Sequence, residues 1–146
     1  MGLSKGIIAI KENQLENIVQ ISEILNYFED EKFLDEISDT TEFKNGWTII
    51  TDEEMLLVSE DDLLQELSNE LNTEVFSLTI QSTSATYGFC YFNNGNSRIF
   101  LAQDGNILEN SGEPIFQGKD LNIDENISEN EILRIAEKLG IDVLNN

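Results

Sequence analysis

The chain contains no histidine. That absence removes the Ser-His-Asp and Cys-His catalytic arrangements, the usual zinc ligand sets and the commonest general base together. Cysteine occurs once, so no internal disulfide can form, as expected of a reducing compartment. Cys90 stands in the apolar run Tyr87-Gly88-Phe89-Cys90-Tyr91-Phe92, where it reads as a small core residue rather than an activated thiolate. Long hydrophobic runs are missing too. Ile7 to Ile10 is far shorter than a signal-peptide core, and nothing approaches a membrane span, so a cytoplasmic location is expected. Cations are scarce: 8 Lys and Arg stand against 29 Asp and Glu, for a formal net charge of −21. A phosphate backbone would be repelled by that balance, and anionic membrane surfaces are disfavoured for the same reason. Phosphate-cradling loops, dinucleotide fingerprints and nucleophile elbows are also absent, and Gly88, Gly95, Gly105 and Gly112 read as strand or turn positions. Among so many carboxylates, a glycosidase-like pair carries no specific signal. The expectation is a protein that is not an enzyme and needs no cofactor.

What is present is enough to fold. Hydrophobic residues make up 40% of the 146, and charged residues 25%, near a globular average despite the net charge. The length suits one domain, residues 1–146, burying roughly two thirds of its unfolded surface. Gly6 to Lys11 reads as a short buried strand. From Glu12 to Asp30 the period becomes helical, with Leu15, Ile18, Ile21, Leu25 and Phe28 on one face and Glu12, Glu16, Glu23 and Asp30 nearly opposite. Phe33, Leu34 and Ile37 continue it or begin another helix. Asn45-Gly46 opens a hairpin-like pair, Trp47 to Thr51 and Met55 to Val58, joined by the acidic turn Asp52-Glu53-Glu54. Ser59 is an N-cap, with Glu60, Asp61 and Asp62 favoured by the helix dipole in the first turn. Leu63, Leu64, Leu67 and Leu71 make that helix's apolar stripe, ending near Asn72.

Beyond Glu74 the period becomes two, with Phe76, Leu78 and Ile80 alternating with polar residues. Strands follow at Ala85 to Phe92, Ser97 to Gln103 and Asn106 to Glu109, separated by the hairpin signals Asn94-Gly95 and Asp104-Gly105. Ser111-Gly112-Glu113-Pro114 ends this meander. A capping box, Ser128 with Glu131, starts a last helix that buries Ile132, Leu133, Ile135, Ala136 and Leu139 and stops at Gly140. The expected fold is α+β: an antiparallel sheet of about five or six strands, the first joining its edge, with about three helices packed mainly on one face.

The acid is unevenly placed. No Asp or Glu occurs between Val75 and Gln103, where Arg98 is the sole charge. Asp62, Glu66 and Glu70 instead form a like-charged (i, i+4) row, each pair costing about 0.2–0.5 kcal/mol with no Lys or Arg in the helix to offset it. One reading is a solvated, solubilising face; the other is a surface that steers and holds a basic partner, and the two differ in salt dependence. Tyr87, Phe89 and Tyr91 share a strand face, which reads as core before ligand pocket, and Trp47 likewise reads as packing. Asp120, Asn122, Asp124, Asn126, Ser128 and Glu131 match the ligand spacing of an EF-hand loop, with Ile127 at its apolar position. Against calcium, Glu125 replaces the required glycine, no entering helix is visible, and an extended segment leading into a helix cap explains the same residues.

In size, acidity and the pattern from Gly46-Trp47-Thr48 through the hairpins to the closing helix at Glu129 to Gly140, the chain resembles small acidic bacterial immunity proteins of secreted (polymorphic or contact-dependent) toxin systems. The resemblance implies blockade of a toxin domain, often a basic nuclease, through a complementary acidic surface. The residues to consider first would be Glu53, Glu54, Asp62, Glu66 and Glu70, then Glu16 and Glu23. The partner would be another protein, not nucleic acid or membrane. A calcium-binding module at Asp120 to Glu131 is the alternative, and an acidic chaperone for a secreted effector the third reading.

Overall fold

A computed structural model describes residues 4–17, 41–51, 61–93, 96–104, 106–112 and 129–141. Seven strands form one sheet: β1 (Ser4–Lys11), β2 (Glu42–Lys44), β3 (Trp47–Thr51), β4 (Val75–Gln81), β5 (Thr86–Asn93), β6 (Asn96–Gln103) and β7 (Asn106–Gly112). Among the described residues two α-helices accompany them, α1 (Asp61–Leu71) and α2 (Glu129–Leu139). The strand order is β2-β3-β1-β4-β5-β6-β7, and every neighbouring pair is antiparallel. The α+β class and the β4 to β7 meander agree with the sequence.

The position of β1 differs from expectation. It lies inside the sheet, with Ile7 to Ile10 paired on one side to β3 and on the other to β4. Because β3 and β4 both run antiparallel to β1, they are parallel to each other, and α1 lies in the connection between them. A connection of that kind needs a crossover, which a helix supplies.

The helices also depart from the one-face arrangement. Ile7, Ala9, Trp47, Ile49, Phe76, Leu78, Phe89 and Phe100 form one core with Ile132, Ile135 and Ala136 of α2. Ile8, Ile10, Ile50, Val75, Cys90 and Phe92 form a second core with Leu64 and Leu67 of α1. Successive side chains of a strand point to opposite faces, so α1 and α2 cover opposite sides of the sheet. Ile7 to Ile10 of β1 are fully buried on both faces, which is why this apolar run does not alternate with polar residues.

The first expected helix does not begin at Glu12. That residue adopts φ 71°, outside the helical region, and Leu15–Asn17 forms a single 3₁₀ turn. Buried Thr48 holds the turn in place: its Oγ1 donates to the Glu12 carbonyl at 2.8 Å and accepts from the Gln14 N–H at 2.7 Å. The remainder of that expected helix, residues 18–30, lies outside the described residues, as does the Phe33 to Ile37 segment.

Asn45-Gly46 is a hairpin turn, but between β2 and β3, with Lys44 paired to Trp47. Both turn residues have positive φ, 54° and 86°, as a two-residue type I′ turn requires. Trp47 to Ile49 has β2 on one edge and β1 on the other. The expected hairpin partner, Met55 to Val58, lies outside the described residues.

Each helix ends in bonds that satisfy its orphan carbonyls. At α2, Gly140 N–H donates to Glu137 O at 3.0 Å and Ile141 N–H to Ala136 O at 2.9 Å, a Schellman closure that buries Ile141. Trp47 Nε1 then donates to the Leu139 carbonyl at 2.9 Å, tying that helix end to β3. Lys11 Nζ lies 4.7 Å from the tryptophan ring centroid on the neighbouring strand. At α1, Asn72 takes the left-handed stop position and Thr73 N–H reaches Ser68 O at 3.2 Å.

Candidate protein-binding surface

The spacing of leucines in α1 orients the helix. Leu64 and Leu67 are buried against the sheet, and Leu63 and Leu71 are half-buried at the margins. Asp62, Gln65, Glu66, Asn69 and Glu70 therefore face solvent, and all five are exposed. Three carboxylates one turn apart thus stand on a helix fixed by its opposite face, with no Lys or Arg anywhere in it. Their mutual repulsion is not relieved by the helix itself.

Glu16 is also exposed, on the 3₁₀ turn held by Thr48. Thr48 lies on the same sheet face as Ile50, which packs with Leu64 and Leu67, so Glu16 and the α1 row are carried on one side of the sheet. Glu23, Glu53 and Glu54 lie outside the described residues. So do Asp120, Asn122, Asp124 and Asn126; Glu131 falls in the first turn of α2. Among the described residues, no group of three or more His, Cys, Asp or Glu side chains is placed to hold a metal ion.

The aromatic face of β5 is core. Phe89 stacks between Phe76 and Phe100, at 6.0 and 6.2 Å between ring centroids, with Tyr87 and Tyr91 packed at the border. Cys90 is buried on the opposite, α1 face. Arg98, the lone charge between Val75 and Gln103, is buried too, with its guanidinium 5.7 Å from the Phe89 ring centroid. Its Nη1 donates to the carbonyls of Ile99 and Ser111, both at 3.1 Å, and so staples β6 to β7. Sequence reading left that role unassigned, although an isolated cation amid apolar residues was the available signal.

Tyr91 OH donates to the Glu74 carboxylate. Burial pushes the Tyr91 phenol well above its usual range, and the Glu74 hydrogen bond and negative charge push it further the same way. This pair closes the start of β4 against β5 and faces away from the acidic helix.

The two sheet edges differ. At one, β2 has three residues and exposes Phe43; at the other, all seven residues of β7 are exposed, including Ile107 and Leu108. An open surface depression of about 560 Å³ adjoins the start of β7, lined by Thr83, Ser84, Ala85, Gln103, Asp104, Asn106 and Leu108.

Fold and surface define an α+β protein with a seven-stranded antiparallel sheet, helices on both faces and an acidic helix directed outward. No family model, curated protein or solved structure matches the chain. Among the described residues, no helix is long and apolar enough to cross a membrane.

Proposed function

We propose that this chain is a protein-binding module, an immunity protein that neutralises a bacterial toxin by presenting the acidic face of α1 to a basic surface. The observation that carries the reading is the exposed row Asp62, Glu66 and Glu70, unrelieved by any cation in its helix and held rigid by Leu64 and Leu67. A row that costs helix stability is expected where the same charges gain more by meeting cations elsewhere. A toxin that acts on nucleic acid must itself expose Lys and Arg toward phosphates. An acidic helix competes for those cations, steers the encounter and covers the substrate path without any chemistry of its own. The missing histidine then has no consequence, because blockade asks for shape and charge only.

The test is whether a secreted protein with a toxic C-terminal domain is encoded immediately upstream, followed by co-expression with that domain. Growth should be rescued, and purified partners should associate. Glu66→Lys with Glu70→Lys should slow association by about tenfold or more at low salt, with the variant still folded. Unchanged association would remove α1 as the surface, and absence of both rescue and complex would remove the immunity reading.

A further inference from the structure

We infer that the outer edge of β7 is a docking site additional to the one proposed on α1, which receives an extended segment of a partner protein and lays a Lys or Arg side chain of that segment in the adjoining open depression. The inference rests on the reading of the chain as a module for a basic protein partner, and extends it to a site remote from α1.

Edge strands expose unpaired backbone groups, and soluble proteins usually blunt them by shortness, by Lys or Pro, or by a bulge. The β2 edge follows that rule, with three residues of which Glu42 and Lys44 are charged. β7 does so much less: it has seven residues, no Lys, Arg or Pro, and Glu109 as its one charge. Two of the three exposed large hydrophobic side chains among the described residues, Ile107 and Leu108, belong to it.

The bulge that β7 does contain leaves much of the edge usable. The register passes from Leu101↔Glu109 to Ala102↔Ile107, so Leu108 is the extra residue. From Glu109 to Gly112 the register with β6 is regular, and among the described residues no strand pairs with the opposite edge, whose residues are all exposed. Bulges re-aim side chains. Here Leu108 lines the depression together with Ser84, Gln103, Asp104 and Asn106.

That lining specifies the occupant. Asp104 supplies a carboxylate, and hydroxyl and amide oxygens supply further acceptors, beside the aliphatic surface of Leu108. A long side chain with an apolar stem and a cationic head matches such a wall. Charge selects against a second copy of this chain, because each copy carries −21.

The probe is a capped octapeptide of alternating valine and lysine, titrated into the isotopically labelled full chain, with backbone N-methylated and valine-glutamate versions as controls. The expected result is shift changes and slowed amide exchange at Glu109 to Ser111, with side-chain shifts at Asp104. N-methylation should weaken binding about fivefold or more, as should Asp104→Asn and whichever of Asn110→Pro and Ser111→Pro removes an outward N–H. Glu66→Lys with Glu70→Lys should leave the β7 signals in place. Signals confined to α1 that vanish in that variant would overturn the edge site while leaving the acidic-helix reading intact. Indifference to N-methylation, or no shift at about 1 mM peptide, would overturn it as well. So would self-association abolished by the same proline in a chain that ignores the peptide, since the occupant would then be a second copy.

Discussion

At the scale of single residues, two glycines with positive φ separate backbone strain from steric exclusion. A Cβ at Gly46 would have Lys11 Nζ as its nearest neighbour, 3.9 Å away, whereas a Cβ at Gly112 would lie 1.9 Å from the Ser97 carbonyl oxygen. Gly46→Ala should therefore cost about 1 kcal/mol, the left-handed penalty alone. Gly112→Ala should cost about 2 kcal/mol or more, because β7 must move off β6 as well. Urea denaturation followed by the emission of buried Trp47, the sole tryptophan, measures both. Equal losses would refute the steric argument. Tyr91 gives a pH prediction. Its folded pKa is raised, so its contribution to stability is fully present below the unfolded value of about 10 and is lost as pH rises above it. Compared with Tyr91→Phe, the native chain should lose midpoint between pH 8 and pH 11. The differential should stay below the one-proton limit of about 1.4 kcal/mol per pH unit, because the phenol is partly solvent-facing. A parallel pair of curves would show that the Tyr91 phenol is not raised in the folded chain, by burial or by Glu74.

At the scale of elements, the acidic row of α1 sets helix stability against the proposed recognition. Glu66 repels both Asp62 and Glu70 across one turn, so Glu66→Gln should raise stability by roughly 0.4–1 kcal/mol while weakening the partner complex. Thermal melting and binding measured on the same variant check both signs, and a destabilised variant would mean that Glu66 has a structural partner. This helix was legible in sequence because Leu64 and Leu67 recur at its period, opposite a polar side that carries Asp62, Glu66 and Glu70 and no cation. The meander was legible for a similar local reason: Phe76, Leu78 and Ile80 alternate, and two-residue turn signals separate the strands. The interior place of β1 and the opposed helices were missed because they depend on pairings distant in sequence, such as Ile8 with Ile50 and Ser77. A signal did exist. Ile7-Ile8-Ala9-Ile10 has no polar alternation, which means both faces are covered, and a strand covered on both faces does not belong at an open edge. Of the candidate acidic residues, Asp62, Glu66, Glu70 and Glu16 are exposed, and only the fold puts them on one side of the sheet.

At the scale of the whole molecule, the net charge of −21 acts on folding and on association with opposite signs, which lets salt distinguish a working surface from a solubilising one. Folding gathers like charges, so screening should raise the melting temperature as ionic strength increases from about 0.01 to about 0.1 M and the Debye length contracts from about 30 to about 10 Å. Association with a basic partner should respond inversely, its rate falling over the same range, because the long-range field that guides the encounter is what the salt removes. The central sheet contributes little to either effect, since Arg98 is its only charge between Val75 and Gln103 and is buried. Both responses should then be reduced in the variant carrying Glu66→Lys and Glu70→Lys. A melting temperature that rises with salt beside an association rate that does not change would assign the acid to solubility alone. A melting temperature that falls would mean that ion pairs, rather than repulsion, dominate the surface, and the outward acidic row could no longer be treated as charge held in reserve for a partner.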